Sequence, residues 1–161
     1  MSSKSVRFIG VLVLALSAAT LSAQLPNPYG APINGENAKK VAAAALVEAR
    51  KNHWTMAAAI VDPSGDLVYF EKVDGTQAAS NDIAIDKARA SARFKRPTKA
   101  LQDTLAAGGE GLRILALRGA VAVDGGVPLM MDGKIVGAIG VSGGTSVQDA
   151  QCANAGAAVV K

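Results

Sequence analysis

The stretch from Val127 to Val141 constrains the fold more than any other part of the chain. Val127–Met131 is apolar, Asp132-Gly133 follows, and Lys134–Val141 is again mostly apolar. An Asp-Gly pair suits the two positive-φ positions of a tight hairpin turn, so the flanking strands must run antiparallel. A sheet built on this hairpin is mostly antiparallel. A second hairpin precedes it. Met56–Val61 is an unbroken apolar run of strand length, Asp62-Pro63-Ser64-Gly65 is a turn by composition, and Leu67–Val73 reads as the returning strand. The lack of alternation in Met56–Val61 predicts an interior strand covered on both faces.

Helical signals surround these strands. Asn34 is an N-cap, and a helix is expected from there to about Asn52, with Ala38, Val41, Ala42, Ala45, Leu46 and Ala49 on one stripe. A second helix runs from near Ser80 to about Arg93. Its Ala84, Ala88 and Ala92 form a small-residue face that permits close packing. Pro97 interrupts it, Thr98–Ala106 forms a short third helix, and Gly108, Gly109 and Gly111 end that one. Leu115–Val123, apolar except at Arg118-Gly119, reads as another strand. Gly143 and Gly144 break the last strand. Thr145, with Gln148 three residues on, then opens a helix to about Val160 as a capping box does. The expectation is one α/β (α+β) domain, residues 34–161, with a mostly antiparallel five-stranded sheet flanked by helices.

An extended arm, residues 24–33, precedes this domain and carries Pro26, Pro28 and Pro32. Before the arm, Lys4 and Arg7 lead into the apolar run Phe8–Leu16, and small residues continue through Ala23. That is the pattern of a secretory signal peptide, residues 1–23, and it predicts a periplasmic or secreted protein. Losing it lowers the formal charge from +4 to +2, because it contains two bases and no acids. So mild a charge argues against a nucleic-acid partner. No later apolar run is long enough for a membrane span. The single cysteine, Cys152, cannot form an internal disulfide and is expected to be buried.

Few residues can carry chemistry. Gly140-Val141-Ser142-Gly143-Gly144 matches G-x-S-x-G between a strand and a helix, which would make Ser142 a nucleophile. Such a serine needs a base, and the only histidine, His53, precedes it, the reverse of the order in hydrolases of that type. The glycines are better explained by a close turn, whose N–H groups could hold a carboxylate or phosphate beside Asp149. His53 lies at an element end next to Trp54 and near Met56, where an imidazole could ligate haem iron above an apolar slot. Tyr69, Met130 and Met131 are weaker axial candidates. No paired His/Cys spacing suggests zinc. If the second helix persists that far, Arg89, Arg93 and Arg96 fall on one face and could meet ligand carboxylates such as haem propionates; a solvated face is the alternative. Lys87 sits among Ala84, Ala88 and Ala90 and is expected to point into a cleft. The acids Asp62, Asp66, Asp74, Asp124 and Asp132 fall in turns, so no acid–base pair and no catalytic residue is assigned.

These residues also carry a family resemblance. Ala58-Ala59-Ile60-Val61-Asp62 with Gly65, the helix Asp82–Arg93 followed by Pro97-Thr98, and Gly125-Gly126-Val127-Pro128 with Gly133, Gly137, Gly140, Ser142-Gly143 and Asp149 resemble the GlcG/HbpS family. That family is related to the C-terminal domain of PduO. The resemblance covers nearly all of the chain after the signal. It implies a profilin-like arrangement and assembly into homo-oligomers, octamers being known in the family. It also implies a small-molecule ligand, haem, with a corrinoid as the alternative. Lys87, Ser142 and Asp149 match motif positions, whereas His53 as iron ligand comes from chemistry alone. The leading reading is an exported haem-binding protein for storage, scavenging or sensing, with His53, Lys87, Arg93, Ser142 and Asp149 as ligand-binding residues. The rival readings are an enzyme acting on a hydroxy or keto acid, with Lys87 and Asp149 in a cleft and Arg93 on a carboxylate, and an oligomeric scaffold.

Overall fold

The computed structural model describes residues 27–160. The predicted signal peptide lies outside the described residues. Both hairpins form. Strands β1 (Ala57–Val61) and β2 (Leu67–Lys72) are joined by the Asp62–Gly65 turn, in which the Asp62 carboxylate accepts from the Ser64 and Asp66 amides at 2.8 and 3.0 Å. Strands β3 (Gly126–Met131) and β4 (Lys134–Ser142) are joined by Asp132-Gly133. The φ angles of those two residues, 49° and 72°, are the pair the tight turn demands.

The sheet order is β2-β1-β4-β3, antiparallel at every step. It therefore has four strands among the described residues, not the expected five. The segment expected as the missing strand, Leu115–Val123, instead ends a 3-10 helix (Gly109–Ala116) and continues irregularly. Gly119, at φ 82°, breaks its extended path. Its apolar residues Ala120, Val121 and Ala122 pack on a satellite cluster of Ala90, Leu101 and Ile114 instead of on a sheet edge. The free edge of β3 carries Pro128, which has no N–H to offer a further strand.

Among the described residues, four α-helices surround the sheet: α1 (Gly35–Lys51), α2 (Ser80–Phe94), α3 (Thr98–Ala106) and α4 (Ser146–Ala157). The residues of β1 are all buried, as an unalternating apolar run requires. Ala58 and Ile60 join Val41, Leu46, Ile139 and Cys152 beneath α1 and α4. Ala57, Ala59 and Val61 face Ala84, Ala88 and Ala92 of α2. This second face is almost all alanine because α2 lies very close to β4. A side chain at Gly140 would collide with the backbone of Ala84 and Ala88. The Thr145 capping box on α4 is formed as expected.

The arm runs beside β4 where β1 has ended. Gly30 N donates to Ile135 O and Ile135 N to Pro28 O, both at 2.8 Å, and Tyr29 makes a parallel bridge to Ile135. The Tyr29 hydroxyl reaches across to donate to Ala92 O at 3.0 Å, and Lys95 lies 4.1 Å over its ring.

Candidate functional site

Strand β4 ends in Ser142-Gly143-Gly144, and helix α4 begins just beyond, so the loop between them lies against the N-terminus of α2. This brings three of the expected ligand residues together. Lys87, on the face of α2 that meets the sheet, projects its ammonium to within 2.7 Å of the Asp149 carboxylate and 3.1 Å of Val141 O. The other Asp149 oxygen accepts from Gly144 N at 3.0 Å. Ser142 Oγ lies 3.3 Å from Ser80 Oγ. The side chains of Lys87 and Asp149 are 1% and 4% exposed. Burial pushes the Asp149 carboxyl above its usual range, outweighing the downward pull of Lys87 and of the Gly144 and Gly143 amides. The arrangement joins α2, β4 and α4 by a sealed ion pair, and a substrate cannot reach it unless the loop opens.

His53 is elsewhere. It is the first residue beyond the C-cap of α1, in a left-handed conformation at φ 58°. Its amide donates to Arg50 O and the Trp54 amide to Ala49 O, which closes the helix in the pattern where glycine is usual. The imidazole is exposed. Histidine is among the few non-glycine residues found in this conformation.

Arg93 lies at the other end of the molecule. Its Nε donates to Ser64 O at 2.7 Å, and Arg89 Nε donates to Gly65 O at 3.1 Å, so both are fastened to the β1–β2 turn. The whole of β1 lies between this turn and the segment carrying His53. Its five residues, at about 3.3 Å each, place the two positions at opposite ends of the sheet. The five predicted residues therefore fall into three groups: His53 exposed at one end of the sheet, Arg93 exposed at the other, and Lys87, Ser142 and Asp149 sealed together towards the His53 end, where Ser142 pairs with Ala57.

Sequence reasoning missed several partners. Val141 contributes through its carbonyl, which no residue type can signal. Thr98, fully buried, accepts from Gly126 N at 2.8 Å and ties α3 to β3; its only signal was the Pro97-Thr98 pair. Tyr29 gave no signal at all, since it lies in an arm read only as extended.

The principal clefts open to solvent instead of entering the core. One of about 320 Å³ lies between the arm and the β3–β4 hairpin, lined by Ile33, Asn37, Met131, Lys134 and Val136. One of about 510 Å³ is lined by Tyr29, Pro32, Pro63, Ser64 and Arg93. One of about 360 Å³ is lined by Asp86, Arg89, Arg93, Gly119, Ala120 and Val121. No cluster of three metal-ligating side chains exists among the described residues. No helix there is long and apolar enough to cross a membrane. Exposed apolar side chains gather on the 3-10 helix and just after it, at Leu112, Leu115, Leu117 and Val123.

The family model described as haem degrading protein HbpS-like matches residues 33–158. Protein GlcG of Escherichia coli K12 is 36% identical over 110 residues, covering 68% of this chain and 81% of that protein. The crystal structure of a double mutant of Streptomyces reticuli HbpS superposes with a TM-score of 0.76 at 28% identity, covering 95% of this chain and 99% of that one. A PduOC:heme complex has the same fold, with a TM-score of 0.73 at 24% identity, covering 81% of this chain and 96% of that one.

Proposed function

The chain belongs to the HbpS-like family, and from that membership we propose that it is an exported haem-binding protein which holds its ligand outside a solid subunit. The single observation that carries this reading is the family match itself, which spans the folded domain from Ile33 to Ala158. The packing supports a site outside the core. Val41, Leu46, Ile60, Ile139 and Val141 are fully buried beneath α1 and α4, and α2 lies on the other face at alanine distance. A porphyrin therefore docks on the surface or between copies. The patch at Leu112, Leu115, Leu117 and Val123 is apolar surface that a homo-oligomer would cover. Haem, not a corrinoid, is the ligand proposed, because the relatives give the corrinoid no support.

His53 is the proposed iron ligand. Its imidazole is exposed, stands on a closed helix end and has Trp54 as an apolar neighbour. The test is a haem titration followed in the Soret region, with His53→Ala in parallel. Saturable binding with a shifted Soret band is expected for the native chain, and a different band position for the variant. A native chain that leaves the free-haem spectrum unchanged overturns the proposal. An unchanged variant spectrum removes only His53 from the role. The haem-degrading reading of the same site predicts that the band decays once a reductant is supplied, whereas storage or sensing predicts that it persists. Export predicts a mature N-terminus near Gln24, checked by intact mass.

A further inference from the structure

The β1–β2 turn holds two arginines in one orientation. Arg89 and Arg93 lie four residues apart on α2, so their backbones are stacked about 6 Å apart along one face. Each spends its Nε on a successive carbonyl of the same turn, Arg93 on Ser64 O and Arg89 on Gly65 O. Among the described residues, neither terminal NH2 pair donates a hydrogen bond within the chain. The one ion-pair contact there is Arg89 to Asp86 at 3.9 Å, with both side chains about half exposed; pairs of that kind hold weakly.

The turn is shaped for this docking. Gly65 has φ 90°, and a Cβ there would stand 2.6 Å from Arg93 Nε. Both arginines border a cleft of about 360 Å³ that Asp86, Ala120 and Val121 also line, and Arg93 borders the cleft of about 510 Å³ beside Tyr29 as well. Pinned guanidiniums with free forks, set beside the small apolar side chains of Ala120 and Val121, match a planar apolar ligand that carries two carboxylates on one edge.

We propose that Arg89 and Arg93 form a carboxylate clamp that receives the two propionates of a porphyrin, with Ala120 and Val121 under the adjoining ring edge. The clamp rests on the tetrapyrrole reading given above and supplies the positions that recognise its acidic edge. His53 and the clamp lie at opposite ends of the sheet. A porphyrin bound by both would therefore take them from two copies of the chain.

The test uses the folded protein and two probes, protoporphyrin IX and its dimethyl ester, followed by quenching of the single tryptophan, Trp54. The free acid is expected to bind the native chain at least about tenfold more tightly than the diester, the difference made by charge-assisted hydrogen bonds. That preference is expected to vanish in an R89Q/R93Q double variant. Arg93→Lys keeps a donor for Ser64 O and is expected to retain only part of the preference, which guards against a folding defect in the double variant. Equal affinity for acid and diester in the native chain overturns the clamp while leaving porphyrin binding intact. A double variant that still prefers the acid overturns it as well. A native chain that binds neither probe overturns the tetrapyrrole reading and the clamp with it.

Discussion

Replacing Lys87 by methionine keeps most of the side-chain volume and removes only the charge, so it isolates the ion pair that joins α2 to α4. The native ammonium gives one hydrogen bond of 2.7 Å to Asp149 and one of 3.1 Å to Val141 O. In Lys87→Met, Asp149 stays 3% exposed with only the loop amides for company, and Val141 O loses its side-chain donor. Removing one partner of a buried pair costs about 3–5 kcal/mol, a large share of the roughly 5–15 kcal/mol that a domain of this size has in total. Asp149→Ala should cost a similar amount, by leaving a buried ammonium. The double variant Lys87→Met/Asp149→Leu should recover most of the loss, because it leaves neither charge unpaired. The sign with pH follows from burial. The Asp149 carboxyl is already raised, and losing Lys87 raises it further, so the protonated form is favoured in the folded state. The variant's deficit should be smallest in acid and grow as pH rises through that raised value. Urea unfolding followed by Trp54 fluorescence at several pH values measures all of this. A deficit below about 1 kcal/mol for either single variant, or strict additivity in the cycle, would show that the pair is not the fastening described.

Two other substitutions test the packing. Gly140→Ala places a methyl against the backbone of Ala84 and Ala88, neither of which can yield without lifting α2 from β4; a loss of roughly 3 kcal/mol or more is expected in the same urea assay, and a near-neutral result contradicts the close approach. Burial pushes the Cys152 thiol up to about 11 from an ordinary 9.0. Its contribution to stability should be whole below pH 9 and fade as pH rises through 11. The difference is roughly 2–3 kcal/mol, and Cys152→Ala should lack it; native Cys152 labelling freely at pH 8 would refute the burial.

The elements were legible wherever local chemistry decides the backbone. Asp132-Gly133 specified its turn, Thr145 and Gln148 their cap, and the unalternating run at Met56–Val61 its interior place. Leu115–Val123 misled because its apolar residues are at home equally on a sheet and on a satellite cluster. Only the positions of α2 and α3 decide between these, and they are set by tertiary contacts. The candidate site divides on the same line. The pairing of Arg89 with Arg93 on α2 was readable from spacing, as was the closeness of Lys87 to small residues; Arg96 does not join that face, because α2 ends at Phe94, Lys95 turns left-handed at φ 55° and Arg96 Nε donates to Phe94 O. What Lys87 meets was not, because Asp149 is 62 residues away and its other partner is a backbone carbonyl. The distance between His53 and Arg93 was likewise hidden, because it depends on strand register and not on composition.

A crystal structure of the chain with haem bound measures the central claim most directly. Porphyrin density is expected against the outer surface or between copies, with Ile60, Ile139 and the alanines of α2 unmoved. Density for the ring between the sheet and its helices, with those side chains displaced, would contradict it.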